Sequence, residues 1–301
     1  MHQCSHHPLP DRFGRAFLIG IGLNAGFVAV EGIYGVATDS LALLADAGHN
    51  LSDVLGLIMA WAGYALAKLP PNQRHTYGWR SSTILAALFN SLLLIAAVGG
   101  ITWEAIHRLK EPASVDSNTV ITVALIGVVI NTGTALLFAR GRKTDLNLRG
   151  AYLHMAADAL LSVGVVIGGV AISFTDLLWI DPIISLIIAA VIFIGTWSLL
   201  KESIALALQA VPENVDPQQV LQDLQSFKEV TDVHDLHIWA VSTTETSLTA
   251  HLEVPEAEDQ DLLLQKIRKI LHDHHGICHT TIQVERSIRR ANCGQATPNS
   301  L

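Results

Sequence analysis

The sequence predicts an α-helical membrane protein with six transmembrane helices, followed by a small α+β domain of order αββαβ. Half of the 301 residues are hydrophobic and only 15% are charged, whereas soluble domains average about a quarter charged. The mean hydropathy is +0.40. Apolar residues are gathered into long stretches before about residue 207, and the composition becomes polar after it. These three observations together predict a membrane domain followed by a soluble one.

Six stretches are long and apolar enough to span a bilayer, which requires about 20 residues each. The third, fourth and sixth are uninterrupted, whereas the first, second and fifth contain ionisable or amide side chains. The predicted spans run approximately over Phe13–Ala37, Leu41–Ala67, Ser82–Ile106, Asn118–Ala139, Ala151–Phe174 and Pro182–Leu200.

The flanking cations predict which side of the membrane each loop occupies. Loops rich in Lys and Arg face the cytoplasm, and every short loop here agrees with one orientation, which places both termini in the cytoplasm. The opposite side carries only Arg108 and Lys110. The cytoplasmic set is Arg12, Arg15, Lys68, Arg74, Arg80, Arg140, Arg142, Lys143, Arg149 and Lys201.

The soluble part is predicted from periodicity. Apolar residues recur at helical spacing in two segments and alternate as in strands in three others. The elements are Pro217–Phe227 (helix), Val230–Val241 and Ser247–Val254 (strands), Asp259–His274 (helix) and Thr280–Glu285 (strand). About 80 residues make a thin core, so we expect self-association to stabilise it. The expected boundaries are 1–12 (N-terminal tail), 13–207 (membrane domain), 208–287 (soluble domain) and 288–301 (disordered tail).

Composition also argues against several classes of function. The net charge of −8 with no long basic run makes nucleic acid an unsuitable partner. Three widely spaced cysteines, Cys4, Cys278 and Cys293, do not suggest a disulfide framework. No secretory signal with a cleavage site is visible, and no Walker-type phosphate-binding motif suggests ATP coupling.

Two His-x-x-x-Asp pairs dominate the polar residues of the spans. The second span contains His49 and Asp53, and the fifth contains His154 and Asp158. Residues four apart lie on one helix face, with Cβ atoms about 5–6 Å apart. Two such faces brought together present two imidazoles and two carboxylates, which is a tetrahedral N/O set that Zn²⁺ accepts.

The charge balance of this set supports a metal site. Two neutral imidazoles and two carboxylates sum to −2, which cancels a dication that hydrocarbon would otherwise exclude. Without metal, two close buried carboxylates repel and favour protonation, so metal and protons compete for the same atoms. The alternative is that each pair only joins helices by hydrogen bonds. Intramembrane ionisable groups are functional by default, and the duplication favours the metal site.

The sequence resembles the cation diffusion facilitator family of zinc transporters from about residue 13 to residue 286. The resemblance includes the segment Ser40–His49 (SLALLADAGH) with Asp53, and the pair His154 and Asp158. It also includes Asp181-Pro182 and the segment Val233–Trp239 (VHDLHIW).

The resemblance implies a function. Residues matching His49, Asp53, His154 and Asp158 form the family's transport site, and this ligand set implies zinc, with cadmium tolerated. It further implies a homodimer with a cytoplasmic ferredoxin-like domain that exports metal in exchange for protons. The compact chain with short loops favours a bacterial inner membrane.

Three further regions contain side chains of metal-ligating types. Asp46 precedes His49 by three residues; it is a proton acceptor, a transient ligand at the site's mouth, or, in our preferred interpretation, a hydrogen-bond partner of His49. In the soluble domain, the resemblance matches His234, His251 and Glu285 to metal-binding positions, and Cys278 or His279 could complete a second Zn²⁺ site. The alternative there is a set of surface histidines in a dimer groove. The His/Cys-containing segment 1–7 is either a metal-capturing tract or an ordinary disordered start.

The sequence therefore predicts a secondary transporter rather than an enzyme, with Zn²⁺ as substrate and as a regulatory ligand of the soluble domain. One rival is an intramembrane zinc metalloenzyme, which would normally hold its metal with three protein ligands and an open position. Four matched ligands argue against it. The other rival is a membrane-bound metal sensor, which would bind metal without transporting it.

Overall fold

A computed structural model describes residues 11–37, 41–110, 117–143, 145–175, 177, 179–255 and 259–286. Some side chains within these ranges are not described, among them those of Glu31, Asp46, His49 and Asp181. The expected N-terminal tract with Cys4 and the expected disordered tail 288–301 lie outside the described residues. The chain divides into two compact units near Ser203, and each is considered by itself.

The membrane unit consists of six long helices, as predicted. The shortest has 22 residues and the longest 30, which at 1.5 Å per residue is roughly 33–45 Å, enough to cross a hydrocarbon core of about 30 Å. Their bounds are α1 Asp11–Ala37, α2 Leu41–Ala67, α3 Ser82–Lys110, α4 Ser117–Phe138, α5 Leu146–Thr175 and α6 Ile180–Ala207.

Apolar composition identifies four spans among the described residues. They are Arg15–Tyr34, Ser82–Lys110, Ile121–Phe138 and Ala189–Ala207, and α2 adds the shorter apolar segment Asp53–Ala67. Helices α2 and α5 contain the His-x-x-x-Asp pairs. Polar side chains in a membrane are costly unless they are buried in protein, so these two helices are expected inside the bundle.

The bundle core lies where α1, α2, α4 and α5 meet. Phe17 and Phe138 pack with their ring centroids 5.0 Å apart, next to Leu57, Leu148 and Met155. Asn24 of α1 is buried here, and its Nδ2 donates to the carbonyl of Gly20 at 2.9 Å and contacts Met155 Sδ at 3.5 Å. This core supports the segments of α2 and α5 that contain the candidate ligands.

Helices α2 and α3 approach closely at Gly63. A Cβ added at Gly63 would lie 2.6 Å from the Cβ of Ala86 and 3.1 Å from the Ser82 carbonyl oxygen. Ser82 Oγ donates a hydrogen bond to the Gly63 carbonyl at 2.8 Å. Small residues permit such backbone contact between membrane helices, and this one fixes α3 against the side of α2.

The soluble unit has the predicted order αββαβ, with α7 Pro217–Gln225, β1 Asp232–Ala240, β2 Thr246–Glu253, α8 Gln260–His275 and β3 Ile277–Glu285. Strand β2 pairs antiparallel with β1 and parallel with β3. Two residues cap the helices: Asp216 Oδ1 accepts from Gln218 N, and Asp259 Oδ1 accepts from Leu262 N. The arrangement is a small ferredoxin-like α+β fold, as expected.

The soluble unit's core lies between the sheet and the two helices. Val220 and Leu224 of α7 and Ile267 and Leu271 of α8 are buried with Leu248, Leu252 and other strand residues. Because strand side chains alternate between faces, residues between these buried positions point to the open face of the sheet. His234 and His251 occupy such intermediate positions.

Candidate metal sites in the membrane and soluble units

Helices α2 and α5 bring three of the four predicted membrane ligands together. Asp53 lies on α2, and His154 and Asp158 lie one turn apart on α5. All three are buried, with 2%, 4% and 6% of their surfaces exposed. One ligand atom from each residue lies within 4.8 Å of the other two. Three ligating groups from two helices therefore share one small volume inside the bundle.

The distances within this group suit a metal of the size of zinc. Nε2 of His154 is 2.8 Å from Oδ1 of Asp53 and 3.8 Å from Oδ2 of Asp158. Tetrahedral zinc with bonds of 2.0–2.1 Å places neighbouring ligand atoms about 3.3 Å apart. The two observed separations lie on either side of that value, so small side-chain movements would place all three atoms around one ion.

The surroundings hold the ligating segments in place. Met155 follows His154 and is fully buried, and Leu57 lies one turn after Asp53 on α2. Ser162 Oγ donates to the Asp158 carbonyl at 2.9 Å, which satisfies this hydroxyl within its own helix. Apolar packing next to the ligands excludes water, which strengthens electrostatic interactions within the group.

The fourth predicted ligand, His49, precedes Asp53 by one turn of α2. Its side chain lies outside the described residues, as does that of Asp46. The helix itself continues through both positions, so His49 has the same i, i+4 relationship to Asp53 that His154 has to Asp158. Metal ligation by His49 therefore remains a prediction, and so does the role of Asp46 as its hydrogen-bond partner.

A second group lies on the open face of the soluble domain's sheet. His234 on β1 pairs directly with His251 on β2, and their ring centroids are 5.4 Å apart. Glu285 on β3 reaches both, with its Oε1 3.1 Å from His251 Nδ1 and its Oε2 3.6 Å from His234 Nε2. Two imidazoles and a carboxylate converge here, as the sequence predicts for His234, His251 and Glu285.

Acidic residues that the sequence did not single out surround these two histidines. Asp232 lies 3.5 Å from His234 Nδ1, and Asp235 lies 3.6 Å from His251 Nε2 and 3.0 Å from His237 Nε2. Asp235 has φ of +53° and sits at a β-bulge between His234 and His237. Bulges redirect side chains at functional sites, and carboxylates of this kind orient ligating histidines.

Within one chain, the structure places Cys278 and His279, which we named as residues that could complete this group, away from it. They begin β3, and His279 pairs with Ser247, whereas Glu285 pairs with Glu253 at the far end of the strand. At about 3.3 Å per residue, the six or seven intervening positions span roughly 20 Å. Within one chain the group therefore consists of His234, His251 and Glu285.

A third group was not predicted from the sequence. Asp223 at the end of α7 lies beside His274 and His275 at the end of α8. The sequence feature that could have indicated this group is the run His272-Asp273-His274-His275 at the end of a helix. Its partner lies about fifty residues earlier in the chain, and only the packing of α7 on α8 brings them together.

Comparisons with known proteins agree with this architecture. Residues 17–206 match the family model described as the cation efflux transmembrane domain. Residues 212–287 match the cytoplasmic domain of cation efflux proteins. The two matches together cover both units of the fold.

Several bacterial relatives match nearly the whole chain. The metal cation efflux system protein CzcD of Cupriavidus metallidurans is 38% identical over 96% of this chain and 91% of the relative. The zinc transporter ZitB of Escherichia coli is 36% identical, over 94% and 91% of the two chains. The cadmium, cobalt and zinc/H⁺–K⁺ antiporter of Bacillus subtilis is 36% identical, over 90% and 88%.

One solved structure is similar to the soluble domain in sequence. It is the metal-bound C-terminal domain of the CzcD transporter from C. metallidurans, which is 35% identical and covers 24% of this chain and 99% of that chain, with a TM-score of 0.23. The family matches and the near full-length relatives agree with the six helices and the ferredoxin-like domain of the fold. The chain belongs to the cation efflux, or cation diffusion facilitator, family of membrane metal transporters and is not an enzyme.

Proposed function

We propose that this protein exports Zn²⁺ from the cytoplasm in exchange for protons, through a site formed by His49, Asp53, His154 and Asp158. The observation that carries the proposal is the convergence of Asp53, His154 and Asp158 within 4.8 Å in the buried centre of the bundle. A buried group of ligands inside a membrane is where a transporter holds its substrate between the two open states.

The charge of the set supports a doubly charged substrate. Two carboxylates and two neutral imidazoles neutralise a dication, whereas a monovalent cation would leave one negative charge in a low-dielectric environment. Imidazole nitrogens favour zinc and similar metals over Mg²⁺ and Ca²⁺, which prefer oxygen. Two of the relatives compared are named for zinc, one alone and one with cadmium and cobalt. Zinc is the proposed main substrate, with cadmium tolerated.

The short distance between His154 and Asp53 supports proton exchange. At 2.8 Å, the lone pairs of Nε2 and Oδ1 would repel each other unless a proton lay between them. A tetrahedral zinc ion would separate the same atoms by about 3.3 Å and would use the Nε2 lone pair itself. Metal loading therefore displaces the proton at this position, and metal release restores it.

The proposed orientation places both termini in the cytoplasm of a bacterium, with the six helices in the inner membrane. The distribution of Lys and Arg supports it, because the cation-rich loops face the cytoplasm. We also propose a homodimer, supported by the thin core of a soluble domain with about 80 residues. In this arrangement the soluble domain lies in the cytoplasm, where it is exposed to cytoplasmic zinc.

The group His234, His251 and Glu285 is the proposed regulatory zinc site of the soluble domain. Its ligands are half-buried on the sheet's open face, with carboxylates beside both imidazoles. Three protein ligands leave a fourth position for water or for a group from a partner subunit. Such a site exchanges its metal with the cytoplasm and suits a sensor of zinc concentration that adjusts transport.

Vesicles containing purified protein and a zinc-sensitive dye test the transport proposal against the sensor alternative. The wild-type protein is expected to carry zinc across the membrane, and His154→Ala is expected to abolish transport while still inserting and dimerising. His107→Ala, which alters an exposed histidine at the end of α3, serves as the matched control and keeps transport. Zinc binding by wild type without any flux would favour the sensor and overturn the proposal.

A further inference from the structure

The third group of ligands lies outside both sites described above. Asp223 Oδ2 is 2.9 Å from His275 Nε2 and 3.2 Å from His274 Nδ1. The three ligand atoms all lie within 4.8 Å of one another. We propose that Asp223, His274 and His275 form a second zinc-binding site of the soluble domain, which joins the C-terminal ends of α7 and α8.

The local fold explains how three side chains from two helices converge. Helix α8 ends at His275, and Gly276 follows with φ of +66°, the left-handed conformation that ends helices and that glycine adopts without strain. Leu224 of α7 and Leu271 of α8 are both buried in the common core. That packing places Asp223, next to Leu224, beside the last turn of α8.

The exposure of the three residues differs in a way that suits an exchangeable ion. The side chain of His275 is 7% exposed, that of Asp223 is 35% exposed and that of His274 is 62% exposed. The buried His275 imidazole and the Asp223 carboxylate form the inner part of the site, and the exposed His274 imidazole covers it from the solvent side. Zinc needs a fourth ligand, which water can supply from the open side.

Electrostatics at this position favour a cation. The Asp223 carboxyl lies against two imidazoles, and an aspartate, whose ordinary pKa is about 3.9, is ionised at neutral pH. The C-terminal end of a helix carries a partial negative charge that attracts cations. A Zn²⁺ ion here would be stabilised by the carboxylate and by the end of α8.

This site is separate from the one formed by His234, His251 and Glu285. His251 lies between Ala250 and Leu252, which are both buried in the core, so alternation directs His251 to the open face of the sheet. Asp223 and the two helix-end histidines belong to the helical layer on the other face. Zinc at the two sites can therefore be removed independently by mutation.

The same contacts have a simpler interpretation, in which His275 and Asp223 form only a charged link between the two helices. The two interpretations differ in whether zinc changes the protein. A link without metal stabilises the domain equally with and without zinc. A zinc site binds one ion, and the bound ion adds stability according to its concentration relative to the dissociation constant.

The test uses the full-length protein in detergent with the other two groups disabled, by Asp158→Ala in the membrane and His234→Ala with His251→Ala on the sheet. Bound zinc is counted by equilibrium dialysis at pH 7. Adding His274→Ala and His275→Ala to this background is expected to remove one zinc ion per chain. Adding His272→Ala is the matched control, because His272 lies on the same turn but pairs with Asp273, and it is expected to remove none.

Asp223→Asn keeps the site's shape and serves as a second variant should the double histidine variant fail to fold. It is expected to weaken zinc binding at least tenfold and to abolish the zinc-induced rise in the soluble domain's melting temperature. An unchanged zinc count in both variants, or an equal loss with His272→Ala, overturns the proposal. Zinc flux measured with the other groups intact separates this result from the transport proposal, since flux would continue without this site.

Discussion

Nε2 of His154 on α5 lies 2.8 Å from Oδ1 of Asp53 on α2, with both side chains buried. This contact joins α2 and α5, each of which carries a His-x-x-x-Asp pair in its sequence. In the proposed exchange, a proton shared by these two atoms is replaced by the metal ion. Under that proposal, the coupling of metal binding to proton release depends on these two side chains.

Zinc binding is expected to release protons from the wild-type protein, and fewer from Asp53→Ala. In the proposed exchange the displaced proton lies between Asp53 and His154, and metal affinity at such sites increases with pH as ligands lose protons. Proton release can be followed with a pH indicator as zinc is added to protein in weakly buffered detergent. Equal release by wild type and variant would show that the exchanged proton comes from elsewhere.

Replacing His49 by Asp is expected to extend transport toward Mn²⁺. Carboxylate oxygens suit harder cations, and imidazole suits zinc, so the variant would lower the preference for Zn²⁺ over Mn²⁺. Competition between the two metals in the vesicle assay measures this preference directly. An unchanged metal profile would show that His49 is not a ligand. The matched control is His75→Asp, in a loop where the imidazole stacks on Trp79 at 4.0 Å.

Gly63→Ala is expected to destabilise the membrane domain by about 1–3 kcal/mol, the range for overpacking. The new methyl group would lie 2.6 Å from the Cβ of Ala86 and would push α3 away from α2. Gly22→Ala on α1 is the control, because nothing lies within 4 Å of a Cβ at that position. Thermal unfolding in detergent compares the two. Equal melting temperatures would refute the close packing of α2 on α3.

The fold was predictable from the sequence because hydropathy identifies membrane spans directly. The helix ends were less accurate. Helix α6 continues to Ala207, seven residues beyond the predicted Leu200, because Lys201 and Glu202 end the apolar stretch but favour helix. Helix α5 begins at Leu146 rather than at the predicted Ala151. Asp145 precedes this start, and its Oδ1 accepts a hydrogen bond from Leu148 N in the first turn. Hydropathy identifies only the part of a helix that lies in the hydrocarbon core. These helices continue beyond that part.

The candidate sites were predictable to different extents. The candidate membrane ligands share a repeated four-residue spacing, so helical geometry alone places the two members of each pair on one helix face. The group on the sheet depends on strand register, and the role of Asp235 depends on a bulge that no local pattern in the sequence indicates. The link between Asp223 and His275 depends on tertiary packing of two helices. Contacts of that kind are set by the core residues around them rather than by local spacing.

Asp235→Asn is expected to weaken zinc binding by the group His234, His251 and Glu285 by about 10–100-fold, the usual effect of removing a carboxylate that orients a ligating histidine. Asn tolerates the left-handed conformation at this position, so the fold is kept. Titration of the full-length protein carrying Asp158→Ala measures the change. Asp261→Asn, an exposed acid in the first turn of α8, is the control, and an equal effect of both would exclude a specific role for Asp235.

The decisive measurement is zinc uptake into proteoliposomes under an imposed pH gradient, compared between wild type and Asp158→Ala. In the proposed site, Asp158 provides one of the two negative charges that neutralise the transported ion. We expect gradient-dependent zinc uptake by the wild type and none by the variant, with equal amounts of inserted protein. Gradient-dependent uptake by Asp158→Ala at the wild-type rate would contradict this expectation.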